Sequence, residues 1–136
     1  MSYGMGFALQ QAVFGVLNTD QAVTALVGDA VFDAAPAGEV PALYVQLGAE
    51  AVRDASDGTG GGAEHRFMVL IVTYHAGFAP AKQVAAAVSD VLIGGQFALS
   101  RGHLVSLTFE RAVARQVGAE ARRQIEMRFK ARVQDG

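Results

Sequence analysis

Apolar side chains recur with a helical period in three stretches of the chain. Residues 5–17 and 80–93 are each predicted to form a helix, the second beginning at Pro80, which suits a first helical turn. A short helix between them is predicted to take Asn18 or Thr19 as its N-cap and to end at Gly28. The buried stripes are Leu9, Val13, Phe14 and Leu17 in the first helix, and Val84, Val88, Val91 and Leu92 in the last.

Alternation of apolar and polar residues predicts four strands. Residues 43–50 have one apolar face, whereas residues 65–74 are apolar on both faces, which is typical of a central strand covered on both sides. Two final strands of about 13 residues, joined near Gly118, are predicted to form a long hairpin that projects beyond the sheet or is bent by a bulge. Their core positions are predicted as Val105, Leu107, Phe109 and Val113, and as Ile125, Met127, Phe129, Ala131 and Val133.

The order of these elements predicts an α+β fold. We expect an antiparallel four-stranded sheet packed with two to three helices and ending in the long C-terminal β-hairpin. The sequence contains no internal repeat and no long linker, so residues 1–136 are predicted to form a single domain.

Composition narrows the classes of function. Hydrophobic residues make up 51% of the chain and charged residues 18%, which favours burial of surplus apolar surface against other subunits. The absence of cysteine excludes disulfides, thiolate metal sites and cysteine nucleophiles. No secretion signal or long apolar run is found, so we expect a protein made in the cytoplasm without membrane contact.

Charge is unevenly distributed along the chain. Residues 1–52 carry five acidic residues and no lysine or arginine, while residues 101–136 carry eight basic residues against four acidic ones. This polarity would suit head-to-tail contact between identical copies. The alternative is that folding mixes the two ends of the chain.

A glycine-rich segment spans residues 54–62. It loosely matches a dinucleotide-binding pattern, but a strand follows it instead of a helix, and no P-loop lysine is present. We therefore predict a mobile loop without a cofactor, in which Asp54 and Asp57 are solvated acids.

Histidines and carboxylates do not form a recognisable catalytic or metal-binding set. His65 and His75 are predicted about 33 Å apart on one strand, and His103 lies in a separate turn, so we expect surface or interface histidines. None of the common hydrolase, metalloprotease or calcium-binding motifs occurs. The sequence predicts a protein that is not an enzyme, although a site assembled from scattered residues stays open.

The last predicted strand has a basic face outside the core. Its members are Arg122, Gln124, Glu126, Arg128, Lys130 and Arg132. One interpretation is a solvated face that protects an edge strand from indiscriminate pairing, and the other is contact with phosphates or with an acidic partner. No aromatic residues are interleaved to stack on bases, so any DNA contact would be insensitive to sequence.

Several segments, in order, resemble the small phage tail-completion proteins. These segments are Ala25-Leu26-Val27-Gly28-Asp29, Val31-Phe32-Asp33, Pro41-Ala42-Leu43-Tyr44-Val45-Gln46-Leu47-Gly48, Gly62-Ala63-Glu64-His65-Arg66, Ala81-Lys82, Val105-Ser106-Leu107 and Phe109-Glu110-Arg111. The similarity spans nearly the whole chain and includes the tail terminators of alphaproteobacterial gene transfer agents.

The resemblance implies a structural part of a phage or gene transfer agent tail, at its head-proximal end. It implies a homo-oligomeric ring, usually of six copies, that caps the tail tube protein, docks the head-tail connector or stopper protein and lets DNA pass through its lumen. It implies neither catalytic residues nor a cofactor. The alternative function is a non-specific nucleic-acid-binding module that uses the basic strand.

Two sets of residues are predicted to serve assembly. The first is the interface loop, with Asp54, Asp57, Gly58, Thr59, Gly60, Gly61 and Gly62. The second is a basic face toward the lumen or a partner, with Arg122, Arg128, Lys130 and Arg132.

Overall fold

Three helices and five strands form among the residues that the computed structural model describes, which are 3–56, 61–95, 97–118 and 121–135. The fold is α+β, as predicted. In chain order the elements are α1 (Gly6–Thr19), α2 (Gln21–Val27), β1 (Val31–Phe32), β2 (Leu43–Asp54), β3 (Gly61–Thr73), α3 (Ala79–Gly94), β4 (His103–Gln116) and β5 (Arg123–Asp135).

The strands form one sheet in the order β1-β2-β3-β5-β4. β3 lies at the centre, as predicted, and pairs with β5 at all 13 of its positions, from Gly61 to Thr73. All pairs are antiparallel except β1 with β2, which is parallel. The predicted four-stranded sheet therefore lacked β1, whose two residues are too few to produce an alternating pattern.

The helix ends follow local capping chemistry. The Asp20 carboxylate accepts a hydrogen bond from the Val23 amide at 3.1 Å and so caps α2. The predicted caps were wrong, because α1 continues to Thr19. Gly28 ends α2 as predicted, with a φ of 64° that glycine adopts without strain.

The main core lies between the helices and one face of the sheet. The predicted stripes of α1 and α3 supply Leu9, Leu17, Val84 and Leu92, all nearly inaccessible to solvent. The predicted core face of β5 is confirmed, since each of its five members is buried. Phe129, at 0% exposure, lies at the centre of this layer.

The core face of β4 differs from the prediction. Register shifts against β5 occur between Leu104 and Ser106 and between Phe109 and Arg111, so one residue bulges out at each place. Each bulge reverses the alternation that follows it. Leu107 keeps its predicted face, but Val105 is 49% exposed and Val113 pairs with Glu126 on the opposite face. The hairpin is thus bent by bulges and does not project beyond β3.

Candidate assembly surface

The helices pack mainly on one face of the sheet, and on the other face only Val27, at the end of α2, joins the apolar cluster at one end among the described residues. We call the other side the open face. Its side chains include Tyr44, Gln46, Ala51 and Arg53 of β2, Glu64, Arg66, Met68, Leu70 and Val72 of β3, Gln124, Glu126, Arg128, Lys130 and Arg132 of β5, and Ser106, Thr108, Arg111, Val113 and Arg115 of β4. Met68 and Leu70, at the middle of the central strand, are only half-buried there. Within the described part of the chain, the second cover predicted for this strand reaches Val72 but does not fully bury Met68 or Leu70.

One end of the open face is apolar. Tyr44 and Val72 are buried there, with Phe32, Leu70 and Tyr74 packed around them. The rings of Phe32 and Tyr44 meet edge to face at 5.7 Å. Burial raises the pKa of Tyr44, an effect that the nearby Arg122 guanidinium partly opposes.

Acidic side chains on the open face are already engaged with neighbours. Arg66 pairs with Glu64 and donates to Glu110 at 3.1 Å, and the bond to Glu110 raises the pKa of Arg66. Glu126 accepts hydrogen bonds from Arg115 and from the Gln124 amide. These acids therefore do not neutralise the remaining arginines.

Four of the remaining cations lie on β4 and β5 and form what we call the basic area, which consists of Arg111, Arg128, Lys130 and Arg132, while Arg53 of β2 lies outside it. Arg128, Lys130 and Arg132 alternate on β5 as predicted, and Arg111 lies directly opposite Arg128 on β4. None of the four side chains forms an ion pair with another described residue. The sequence prediction missed Arg111, because the bulge at Glu110 is what turns it onto this face.

The edge-strand interpretation needs correction, and Arg122 lies near Tyr44 at the apolar end of the open face. β5 lies between β3 and β4, so its basic side chains do not protect an edge, and β4 is the outer strand. Arg122 precedes β5 and donates to the Gln124 side chain at 3.2 Å, away from the basic area. Its Nε is buried without a partner among the described residues.

The glycine-rich segment connects β2 to β3. Asp54 ends β2, and Gly61 and Gly62 begin β3, so these three belong to strands and not to a mobile loop. The Ala55 amide donates to the Gly62 carbonyl at 2.9 Å, which brings the two ends of the connection together. The Asp54 carboxylate accepts a hydrogen bond from the Ser56 hydroxyl at 2.7 Å, a bond that lowers the pKa of Asp54. Asp57, Gly58, Thr59 and Gly60 lie outside the described residues.

The three histidines have unlike environments. His65 was predicted as a surface or interface histidine and is fully buried in the single copy, with Nδ1 3.2 Å from Glu50 Oε2 and the Tyr3 ring stacked on it. The Tyr3 hydroxyl donates to Glu50, which raises the pKa of Tyr3. His75 follows the end of β3, and His103 contacts the Gln134 side chain. His65 therefore anchors the N-terminal segment to the sheet.

Other kinds of site find little support in the described ranges. No group of three histidine, cysteine or acidic side chains could hold a metal ion there. None of the helices in those ranges has both the length and the hydropathy to cross a membrane. An open groove of about 340 Å³ lies between the end of α3 and β4, and its lining is mostly aliphatic, including Leu92, Ile93 and Leu104.

Comparison with known proteins identifies the family. Residues 11–134 match the family described as tail completion protein gp17. A solved chain in the virion of a native gene transfer agent particle is 52% identical, with a TM-score of 0.91, and the match covers 98% of this chain and 99% of that one.

More distant comparisons add only the fold. A second solved chain is 13% identical, with a TM-score of 0.58, and the match covers all of this chain and 98% of that one. No functionally curated protein sequence matches significantly. Since the family match spans most of the chain, the protein belongs to the tail completion protein gp17 family and is a structural tail component of a phage or gene transfer agent particle.

Proposed function

We propose that the protein is the tail terminator that closes a ring of identical copies, six in number, on the finished tail tube. The ring caps the tail tube protein, presents a docking surface to the head-tail connector or stopper protein and lets DNA pass through its lumen. In this proposal residues 1–136 act as one domain and each copy contributes the same two surfaces. The family match supports the tail role, and the open face supports the ring.

The observation that carries the ring is the uncovered central strand. Met68 and Leu70 sit half-buried on a sheet that has helices on its other side. Burying such side chains gains about 25 cal/mol for each Å² of apolar surface removed from water. A neighbouring copy can cover these side chains, and identical copies joined through unlike surfaces form a ring when the rotation from one copy to the next closes.

Exposed apolar side chains elsewhere extend this argument. Phe7 on α1 is 76% exposed and Tyr3 is 63% exposed, although both rings lie beside the well-packed start of α1. On β4, the edge strand, Phe109 is 45% exposed. Aromatic residues are enriched at protein interfaces, so we expect Tyr3, Phe7 and Phe109 to make further contacts with tail proteins.

The connection between β2 and β3 is proposed as a contact with the tube or the next copy. It lies at one end of the sheet, beside Arg132, whose guanidinium donates to the Ala55 carbonyl at 3.3 Å. A glycine-rich connection at the tip of two long strands can take the shape of its partner, at the cost of ordering entropy.

Native mass spectrometry tests the ring. Each copy weighs 14.2 kDa, so we expect a species of about 85 kDa at micromolar concentration, alone or with the tail tube protein present. Leu70→Lys, which places a charge on the open face, is expected to remove this species. Ala86→Lys is the matched control, because Ala86 is exposed on α3. Monomer alone under both conditions for the natural protein would contradict the ring.

A further inference from the structure

Opposite charges lie at opposite edges of the sheet. The basic area occupies β4 and β5, at one end of the strand order. Asp29 and Asp33 are exposed on either side of β1, at the other end, and Glu39 is exposed in the segment between β1 and β2, all in a part of the chain without lysine or arginine. We call these three residues the acidic edge. Four strand spacings, about 19 Å in total, separate β1 from β4.

The basic area is electrostatically unsatisfied in the single copy. Arg111 and Arg128 are directly opposed across β4 and β5, an arrangement of like charges that destabilises a strand pair. Glu126, the acid next to them, already binds Arg115 and Gln124. An anionic group placed over Arg111 and Arg128 would remove this repulsion.

The acidic edge is equally unpaired. Asp29, Asp33 and Glu39 form no ion pair among the described residues. Asp29 and Asp33 lie on either side of β1, whose Phe32 belongs to the apolar end of the open face. The acidic edge therefore lies next to apolar surface, just as the basic area lies next to the apolar side chain of Met68.

We infer that the basic area of one copy docks on the acidic edge of the next copy, and that this charged contact sets the head-to-tail order of the ring. The inference rests on the proposed ring. Two complementary surfaces at opposite ends of one sheet form a heterologous contact, which repeats around a closed ring. Charge complementarity at such a contact fixes register and disfavours wrong partners.

A second copy fits the open face better than DNA does. Met68 pairs with Arg128 across β3 and β5, so apolar surface continues directly into the basic area. Phosphates can neutralise arginines but cannot cover a half-buried methionine. The acids Glu64, Glu110 and Glu126 pair with Arg66 and Arg115 on this face and so lower the positive charge that it offers to a phosphate backbone.

Charge reversal with rescue tests the inference. Arg111→Glu with Arg128→Glu, and separately Asp29→Lys with Asp33→Lys, should each raise the concentration for half-assembly by at least about ten-fold. The chain carrying all four changes should recover assembly to near the natural level. Each surface then carries the opposite charge, so the two surfaces attract each other again. Lys82→Glu on the exposed side of α3 is the control and should assemble normally. Ring formation is measured by native mass spectrometry, with circular dichroism to check folding.

The outcomes separate the inference from the proposed ring. Failure of the four-change chain to recover, while all variants stay folded and the natural protein forms rings, would overturn the docking pair alone. Rings that persist after reversal of the basic area, together with loss of salt-dependent DNA binding, would assign that area to phosphates instead. Absence of rings in the natural protein would overturn the proposed function and the inference with it.

Discussion

Phe129→Ala is expected to lower the free energy of unfolding of the isolated chain by about 3–5 kcal/mol. The side chain has no exposure to solvent. Its ring stacks on Phe67 at 5.6 Å and meets the edge of Phe109 at 5.8 Å, so it joins β3, β5 and β4 in one cluster. Truncation would leave a cavity that the sheet backbone cannot close. Urea unfolding monitored by circular dichroism measures the loss.

Phe7→Ala is the matched control for this truncation. Its ring is 76% exposed, so the same chemical change should alter the free energy of unfolding by no more than about 0.5 kcal/mol. Equal losses for the two variants would contradict the placement of Phe129 at the centre of the core.

Deleting residues 57–60 is expected to abolish tail capping while the fold survives. The deletion leaves Ser56 and Gly61 as a two-residue connection between Ala55 and Gly62, whose backbones are hydrogen-bonded at 2.9 Å. Two-residue connections are common in hairpins, and glycine at the second position favours them. The register of β2 on β3 is therefore retained, but the proposed contact segment is gone. Electron microscopy of particles would show tails that are uncapped or of irregular length.

Lys82→Glu on the exposed side of α3 is the control for the deletion, because this residue lies outside the proposed contact segment. We expect this variant to cap tails normally. Tails of uniform length from the deletion would show that the connection makes no contact needed for capping, whereas an unfolded deletion variant would show that the two-residue connection is not tolerated.

Strands with regular pairing were predictable, and strands with bulges were not. β5 pairs with β3 without a register shift, so its alternation gave the correct core face from Ile125 to Val133. β4 alternates equally well in sequence, yet its bulges reverse the pattern twice, and Val105 and Val113 were placed wrongly. A bulge adds one residue without a compositional mark, so periodicity cannot reveal it.

Short elements and buried polar groups escaped prediction for a different reason. β1 forms because its two residues pair in parallel with β2, which lies further along the chain. His65 lies on the buried face of β3, and its polar partner is Glu50, 15 residues away, which reaches Nδ1 across the β2–β3 pair. Neither relation is visible in local pattern, since both depend on which strands become neighbours.

The candidate surface was predictable in part. The alternation of Arg128, Lys130 and Arg132 placed them on one face. The uneven distribution of charge between the two ends of the chain suggested unlike surfaces for head-to-tail contact. Strand order was needed to show that these bases occupy an interior strand, that Arg111 joins them, and that Asp29 and Asp33 lie at the far edge.

Thiol labelling at Leu70 tests most directly whether sister copies bury the open face. The chain has no cysteine, so Leu70→Cys provides a single reactive thiol in the middle of that face. Asp90→Cys on the exposed side of α3 serves as the reference. The account predicts that maleimide reacts with both thiols in the free chain but only with the Asp90→Cys thiol in assembled tails. Equal labelling of the Leu70→Cys thiol before and after assembly would contradict it.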